Sequence, residues 1–476
     1  MRKSYWMLFI CGLVLVGVFV PRIQAEEASD AKQPNILFIA VDDLRKELGC
    51  YGHPIVQSPN IDRLASEGTI FERSYCMVAV CGASRASIMT GIRPTKTRFV
   101  NYLTRASEDT PDAVTMNTFF KENGYYALNN GKIFHHKDDN EHGWSEPAMR
   151  PSRAWSDKLQ TFHLPENRRL QQGIPGSRGV PYECADVDDN AYGDGVTADK
   201  SIEDMRRLAA QDEPFYLAVG FVKPHLPFVA PKRYWDLYDE GDIQLPENYR
   251  YTPEDAPEAS IHTFGELRAY IGVPPKGPVP DEMALGMIHG YYACVSYIDA
   301  QIGRLLDELE DLGIEDETIV VLWGDHGWNL GEHTMWCKHC VYENSMHAPL
   351  LIKAPGLPAG NRVESLVEFI DVYPTLCELT GLPEIDQLEG TSLVPLLNDP
   401  EAEWKSQAVG RFVNGDTIRT DQYRYSEFHD RNGQLYGRML YDHEADPREN
   451  VNLSERPEYA ELVEELADEL HPYMEE

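Results

Sequence analysis

Positive charge is scarce in this chain. Lys and Arg number 43 against 78 Asp and Glu, a formal net charge of -35. Phosphate backbones are bound by basic faces, so nucleic acid is excluded as a partner. The same imbalance repels an anionic polymer at long range, and any anion site must therefore be a local cluster of cations. Cysteine is sparse too, nine in 476 residues, which excludes a small disulfide-dense scaffold. Cys337 and Cys340 lack the second pair that a structural zinc site needs and read as a disulfide or two buried thiols. Internal repeats, low-complexity tracts and long single-sign charge runs are missing. Beyond residue 25 no apolar run is long enough to span a bilayer, so no stable membrane insertion is expected.

The one long apolar run stands at the N-terminus. Arg2 and Lys3 precede Trp6 to Val20, and Ile23-Gln24-Ala25 offers a small-residue cleavage site. The run is short for a membrane span and is closed by Pro21 and Arg22, while the bulky Ile10 before Cys11 argues against a lipid anchor. Residues 1–25 therefore read as a cleaved export signal, which places the mature protein in a periplasmic or extracellular compartment. The remainder, 42% hydrophobic over the whole chain, is long enough for one large domain over residues 26–400 and a smaller one over 401–476.

Short runs of branched and aromatic residues alternate with helical patterns, the mark of an α/β sheet. Strands are expected at 35–41, 125–128, 215–221, 318–323 and 348–352, and helices at 61–67, 86–90, 298–311 and 367–380. Past residue 400 the pattern changes to strands at 408–413, 418–428 and 435–441, with a closing helix over 459–470. The first four runs are followed by Asp42-Asp43, by Gly131-Lys132 and His135, by Lys223-Pro224-His225, and by Asp325-His326. Ligands of open α/β sheets bind beyond the carboxyl ends of the strands, so these residues point to one shared site.

The strongest local signal is Cys81-Gly82-Ala83-Ser84-Arg85, just before a short helix. Free backbone N–H groups at a helix start favour an anion, and Arg85 stands one turn further on. An isolated cysteine in such a place is more often a packed core residue. A lone lysine is more often solvated, and a lone aspartate after a strand is more often a cap.

The string resembles the signature Cys-x-(Ser/Pro/Ala)-x-Arg of the sulfatase family. Asp42-Asp43, Gly131-Lys132, His135, Lys223-Pro224-His225, Gly324-Asp325-His326-Gly327, Lys338, the Phe369 to Leu376 run and the Leu388 to Leu393 run resemble further sulfatase segments. Gly131 to His135, Lys223 to Phe228, Asp325 to Trp328 and Trp336-Cys337-Lys338 are similar to the iduronate 2-sulfatase group within it. Many sulfatases have Asp-Asn where Asp325-His326 stands. That makes His326 the unusual member of the set, because calcium prefers oxygen.

The resemblance implies an alkaline-phosphatase-like α/β/α sandwich with a smaller C-terminal α+β subdomain. It implies that a maturation enzyme oxidises Cys81 to Cα-formylglycine, whose hydrate attacks sulfur. It implies one Ca2+ held by Asp42, Asp43, Asp325, His326 and the modified residue 81. Arg85, Lys132 and Lys338 are expected to clamp the sulfate oxygens, His225 to protonate the leaving sugar oxygen, and His135 to assist at the formylglycine hydroxyls. Trp328, next to the metal residues, is expected to meet substrate. The substrate class is a sulfated saccharide, with uronate 2-O-sulfate suggested by the group. A phosphonate monoester or phosphodiester hydrolase on the same scaffold and a non-catalytic sulfated-sugar-binding protein are the alternatives. Oligomeric state has no signature in the sequence.

Overall fold

The computed structural model describes Met1 and residues 32–151 and 160–474. Apart from Met1, the signal segment expected over residues 1–25 lies outside the described residues, and so does Cys11. Gln33–Glu476 forms one compact unit.

Its centre is a seven-stranded sheet. In chain order the strands are β1 Asn35–Val41, β2 Thr69–Tyr75, β3 Tyr126–Gly131, β4 Phe215–Phe221, β5 Thr318–Gly324, β6 Leu350–Lys353 and β7 Asn361–Glu368. Their spatial order is β7-β2-β6-β5-β1-β4-β3. β5, β1, β4 and β3 are parallel neighbours, while β6 runs antiparallel to β5 and β2. β1, β4 and β5 are buried along their whole length, as strands covered on both faces must be.

Side-chain alternation divides the core in two. Leu37, Ile39 and Val41 of β1 join a cluster with helices α1 (Pro59–Glu67), α3 (Gly193–Ala209) and α4 (Asp281–Asp311). Ile36, Phe38 and Ala40 face the other way, into a cluster with α2 (Cys81–Thr90) and α5 (Val372–Leu379). The result is the expected α/β/α sandwich. Each fully buried branched or aromatic side chain is worth about 1.5–3 kcal/mol over its exposed state.

A four-stranded antiparallel sheet follows, β8 Gln407–Phe412, β9 Gly415–Thr420, β10 Tyr423–His429 and β11 Leu435–Asp442, each paired with the next. The closing helix α6 (Ala460–Leu470) packs Val463, Leu466 and Leu470 against Ile418, Tyr425 and Leu440.

Several expected bounds shift. The strand expected over 418–428 is a hairpin, because Asp421-Gln422 makes its turn and Thr420 Oγ1 accepts from the Tyr423 N–H at 3.1 Å. The helix expected over 367–380 begins only at Val372, since Val367 and Glu368 still pair with β2. The helix expected over 298–311 starts at Asp281, 17 residues earlier. Gly286 and Gly290 mask its apolar stripe, and both are packing positions. A Cβ at Gly286 would meet the Tyr182 ring at 2.7 Å, and one at Gly290 would meet Trp235 at 2.8 Å.

Candidate active site

Asp42, Lys132, His225 and Asp325 all follow the carboxyl ends of the four parallel neighbours β1, β3, β4 and β5. Cys81 is the first residue of α2, and its thiol is buried among them. Its Sγ lies 3.3 Å from His326 Nε2 and 3.9 Å from Asp43 Oδ1.

Asp43 sits in the left-handed region at φ 62°, which aspartate tolerates better than most residues. Two contacts fix it there. Its N–H donates to Asp325 Oδ1 at 2.9 Å, and its carbonyl accepts the Tyr291 hydroxyl at 2.7 Å. The turn brings Asp43 Oδ1 within 2.9 Å of Lys338 Nζ. Asp43 Oδ2 is buried without a hydrogen-bond partner.

The charges around these acids decide their state. Burial pushes Asp42 up, but Lys132, His225 and Arg85 together hold it well below the usual carboxylate range. At Asp43 burial prevails and raises it, although Lys338 and His225 pull the other way. Burial, and then the charge of Asp42, holds the Cys81 thiol far above its ordinary range. As a cysteine it is a protonated thiol and no nucleophile.

The two imidazoles are read from their partners. His326 Nδ1 faces the Gly327 carbonyl at 2.9 Å. A carbonyl only accepts, so Nδ1 carries the hydrogen and Nε2 turns a lone pair toward Cys81, Asp43 and Asp325. That is the form in which histidine ligates metal. His225 Nδ1 likewise faces the Leu226 carbonyl at 2.7 Å, but its Nε2 meets Glu266 Oε1 at 3.1 Å and Asp43 Oδ2 at 4.0 Å. Burial works against a charged ring, yet Asp43 and Glu266 hold His225 above its ordinary range. Its Nε2 stands among the same group of ligand atoms as the Cys81 thiol.

Two of the expected substrate contacts are fully buried. Arg85 has no exposed surface. It donates from Nε to Asp325 at 2.8 Å, from one terminal nitrogen to Asp42 at 3.4 Å, and from the other to the Lys132 and Ile133 carbonyls. It ties the two carboxylates and the end of β3 into one frame. Trp328 is also fully buried, and its ring lies under the Lys338 ammonium, 4.9 Å from Nζ. It supports the lysine through its π face and does not touch an open surface.

Lys132 lines an open cavity and pairs with Asp42, while the buried Lys338 pairs with Asp43. His135 is neutral, pushed down to about 3 by burial and by Lys132. Its Nδ1 is buried without a partner.

Glu266 was missed. It lies on the short turn Gly265–Arg268 and bridges His225 and Lys338, the latter at 3.3 Å from Oε2. No motif surrounds it, and only the fold brings it to the site. Replacing it by Gln removes one of the three carboxylates that hold the His225 proton. If His225 is the acid, the rate falls as pH rises through its pKa, and Glu266→Gln moves that alkaline limb down by about one pH unit. A pH–rate profile with the limb unmoved would leave Asp43 and Asp42 in charge of that proton.

The donor set suits a divalent cation. Ligand atoms of Asp42, Asp43, Cys81 and His225, and of Asp42, Cys81, Asp325 and His326, lie within 4.8 Å of one another. The orphaned Asp43 Oδ2 and the outward lone pair of His326 are groups that only a cation or a proton donor satisfies.

The profile described as Sulfatase matches residues 34–382, and that described as N-sulphoglucosamine sulphohydrolase, C-terminal, matches residues 331–476. The chain belongs to the sulfatase family. This sulfatase is 34% identical to iduronate 2-sulfatase of Homo sapiens over 415 residues, 83% of this chain and 73% of that one. Two solved structures share its fold. The phosphonate monoester hydrolase SpPMH from Silicibacter pomeroyi superposes with a TM-score of 0.77 at 24% identity, covering 93% of this chain and 95% of that one. A protein solved with its substrate D-glucosamine-2-N,6-O-disulfate superposes with a TM-score of 0.73 at 23% identity, covering 93% and 97%. As a sulfatase the protein is a sulfuric ester hydrolase, and the family implies both a divalent metal and formylglycine. Among the described residues no helix is long and apolar enough to cross a membrane.

Proposed function

We propose that the protein is an exported sulfatase that hydrolyses the 2-O-sulfate of a uronate or a related sulfated sugar, with the nucleophile made from Cys81. The observation that carries the reading is the thiol itself. Cys81 is buried, protonated and surrounded by three carboxylates and the His326 lone pair, a setting that makes sense for an oxygen nucleophile beside a metal and not for a thiolate. The likeness to iduronate 2-sulfatase supports the sugar, and the N-terminal run supports export.

Asp42, Asp43, Asp325 and His326 would hold Ca2+, a hard ion suited to this oxygen-rich set. Together the ion and the formylglycine hydrate supply charge neutralisation and a hydroxyl acidic enough to attack at neutral pH. The chain's own side chains do the rest. Lys132 and Lys338 bind the equatorial sulfate oxygens, whose charge grows in the transition state. His225 delivers a proton from Nε2 to the leaving sugar oxygen, which otherwise departs as a poor alkoxide. His135, kept neutral, can hydrogen-bond the hydroxyl. Arg85 fixes the frame, and Trp328 fixes Lys338.

Sulfate release from a panel of defined saccharides tests the reading, using protein co-produced with a maturation enzyme. Release from 2-sulfated uronate disaccharides is expected. Release only from other sulfated sugars would overturn the substrate, and faster turnover of a phosphonate monoester would overturn the reaction.

A further inference from the structure

Among the described residues Arg150 makes no direct ion pair, in a chain that carries 78 acids. Its terminal nitrogens donate to the Phe134 and His135 carbonyls, the latter at 3.0 Å. Among the described residues no carboxylate lies within ion-pair distance of it, and its Nε–H is buried without a partner. Burial and the nearby Arg85 push it down to about 10, and Asp42 and Asp138 offset only part of that.

Arg150 lines a cavity of about 460 Å3 beyond the carboxyl ends of β3 and β4, together with Lys132, Tyr192, Thr197, Lys223 and Leu226. Lys132 belongs to both this cavity and the nucleophile cluster through its pair with Asp42. A sugar whose sulfate meets Lys132 therefore has this space beside it. The Lys223 ammonium gives two of its three N–H donors to the His225 and Pro227 carbonyls, whereas Arg150 gives two of five and keeps the larger donor capacity. The cavity is large enough for a sugar ring, and its mix of apolar and donor groups is that of a ligand site.

We propose that Arg150 binds the carboxylate of the sulfated uronate and thereby selects uronate sulfates over neutral sugar sulfates. The inference rests on the sulfated-saccharide reading above. A planar guanidinium edge matches a carboxylate in two parallel hydrogen bonds. A second sulfate on the sugar would offer the same anionic oxygens, so the test separates the two.

Three substrates suffice: a uronate 2-sulfate disaccharide, its carboxyl-reduced counterpart, and a disulfated hexosamine. Their kcat/KM values are compared in the wild-type enzyme and in Arg150→Gln and Arg150→Lys. The wild type is expected to prefer the uronate over its carboxyl-reduced form by about 10- to 100-fold. Arg150→Gln should collapse that ratio, mainly through KM, and Arg150→Lys should restore part of it. The ratio cancels any general damage from the lost carbonyl contacts. Cleavage of both uronate sugars at equal kcat/KM, or a ratio unchanged in Arg150→Gln, overturns the subsite and leaves the sulfatase reading standing. A preference that follows the second sulfate overturns the carboxylate assignment. Cleavage of neither uronate sugar removes the substrate reading, and this inference with it.

Discussion

Cys81→Ala is expected to abolish sulfate release, by roughly 10^4-fold or more, the scale on which loss of a covalent nucleophile falls. Among the described residues the thiol's hydrogen-bond partners are His326 and Asp43, and its removal deletes one heavy atom from a packed site, so the fold should stand. Thermal unfolding therefore separates lost chemistry from lost structure. An inactive variant with a nearly unchanged Tm supports the assignment, and a variant that still turns over removes Cys81 from the mechanism. The neighbours rank below it. Truncating Lys338, one donor to developing charge, is worth about 10^2- to 10^3-fold on the precedent of single oxyanion donors.

Removing the divalent ion should be as severe, for a reason visible in the charges. Asp42, Asp43, Asp325 and Glu266 face Arg85, Lys132, Lys338 and a protonated His225. Four negative groups balance four positive ones, and the cluster alone is neutral. Such a cluster has no net attraction for a sulfate ester, and the chain around it is strongly acidic. A bound Ca2+ makes the cluster positive by two charges. Chelation is thus expected to abolish turnover and to weaken inhibition by inorganic sulfate by tenfold or more, with Ca2+ restoring both. It should also lower Tm, since an ion present at 100 times its Kd stabilises the folded state by about 2.7 kcal/mol. Full activity in the chelated protein would refute the metal assignment.

The strands that carry the site were legible because they are buried on both faces. β1 and β4 have the bounds expected for them, and their apolar runs stop where Asp42 and Val222-Lys223 begin. β2 was not legible, because Glu72 and Arg73 interrupt its apolar pattern while it still pairs on both sides. The cysteine question resolves toward thiols, with Cys337 and Cys340 both free and buried. Site residues on motifs could be named in advance, but their duties depend on contacts across the fold. Arg85 is legible as a cation of the site, but its engagement by two carboxylates and two carbonyls is not. Glu266, Tyr291 and Arg150 were not legible at all. Glu266 lies 41 residues from His225 in a turn without a motif, and Tyr291 reaches Asp43 from the middle of α4. Arg150 carries meaning only through the fold, which places it on a cavity shared with Lys132.

The most direct test of the central claim compares chemistry at residue 81 with turnover. Protein produced with varying amounts of a maturation enzyme is digested, and the fraction of Cys81 converted to aldehyde is measured by mass spectrometry. Sulfate release from the 2-sulfated uronate is measured on the same preparations. The rate should rise in proportion to the converted fraction and pass through zero with it. A rate independent of that fraction would contradict the account.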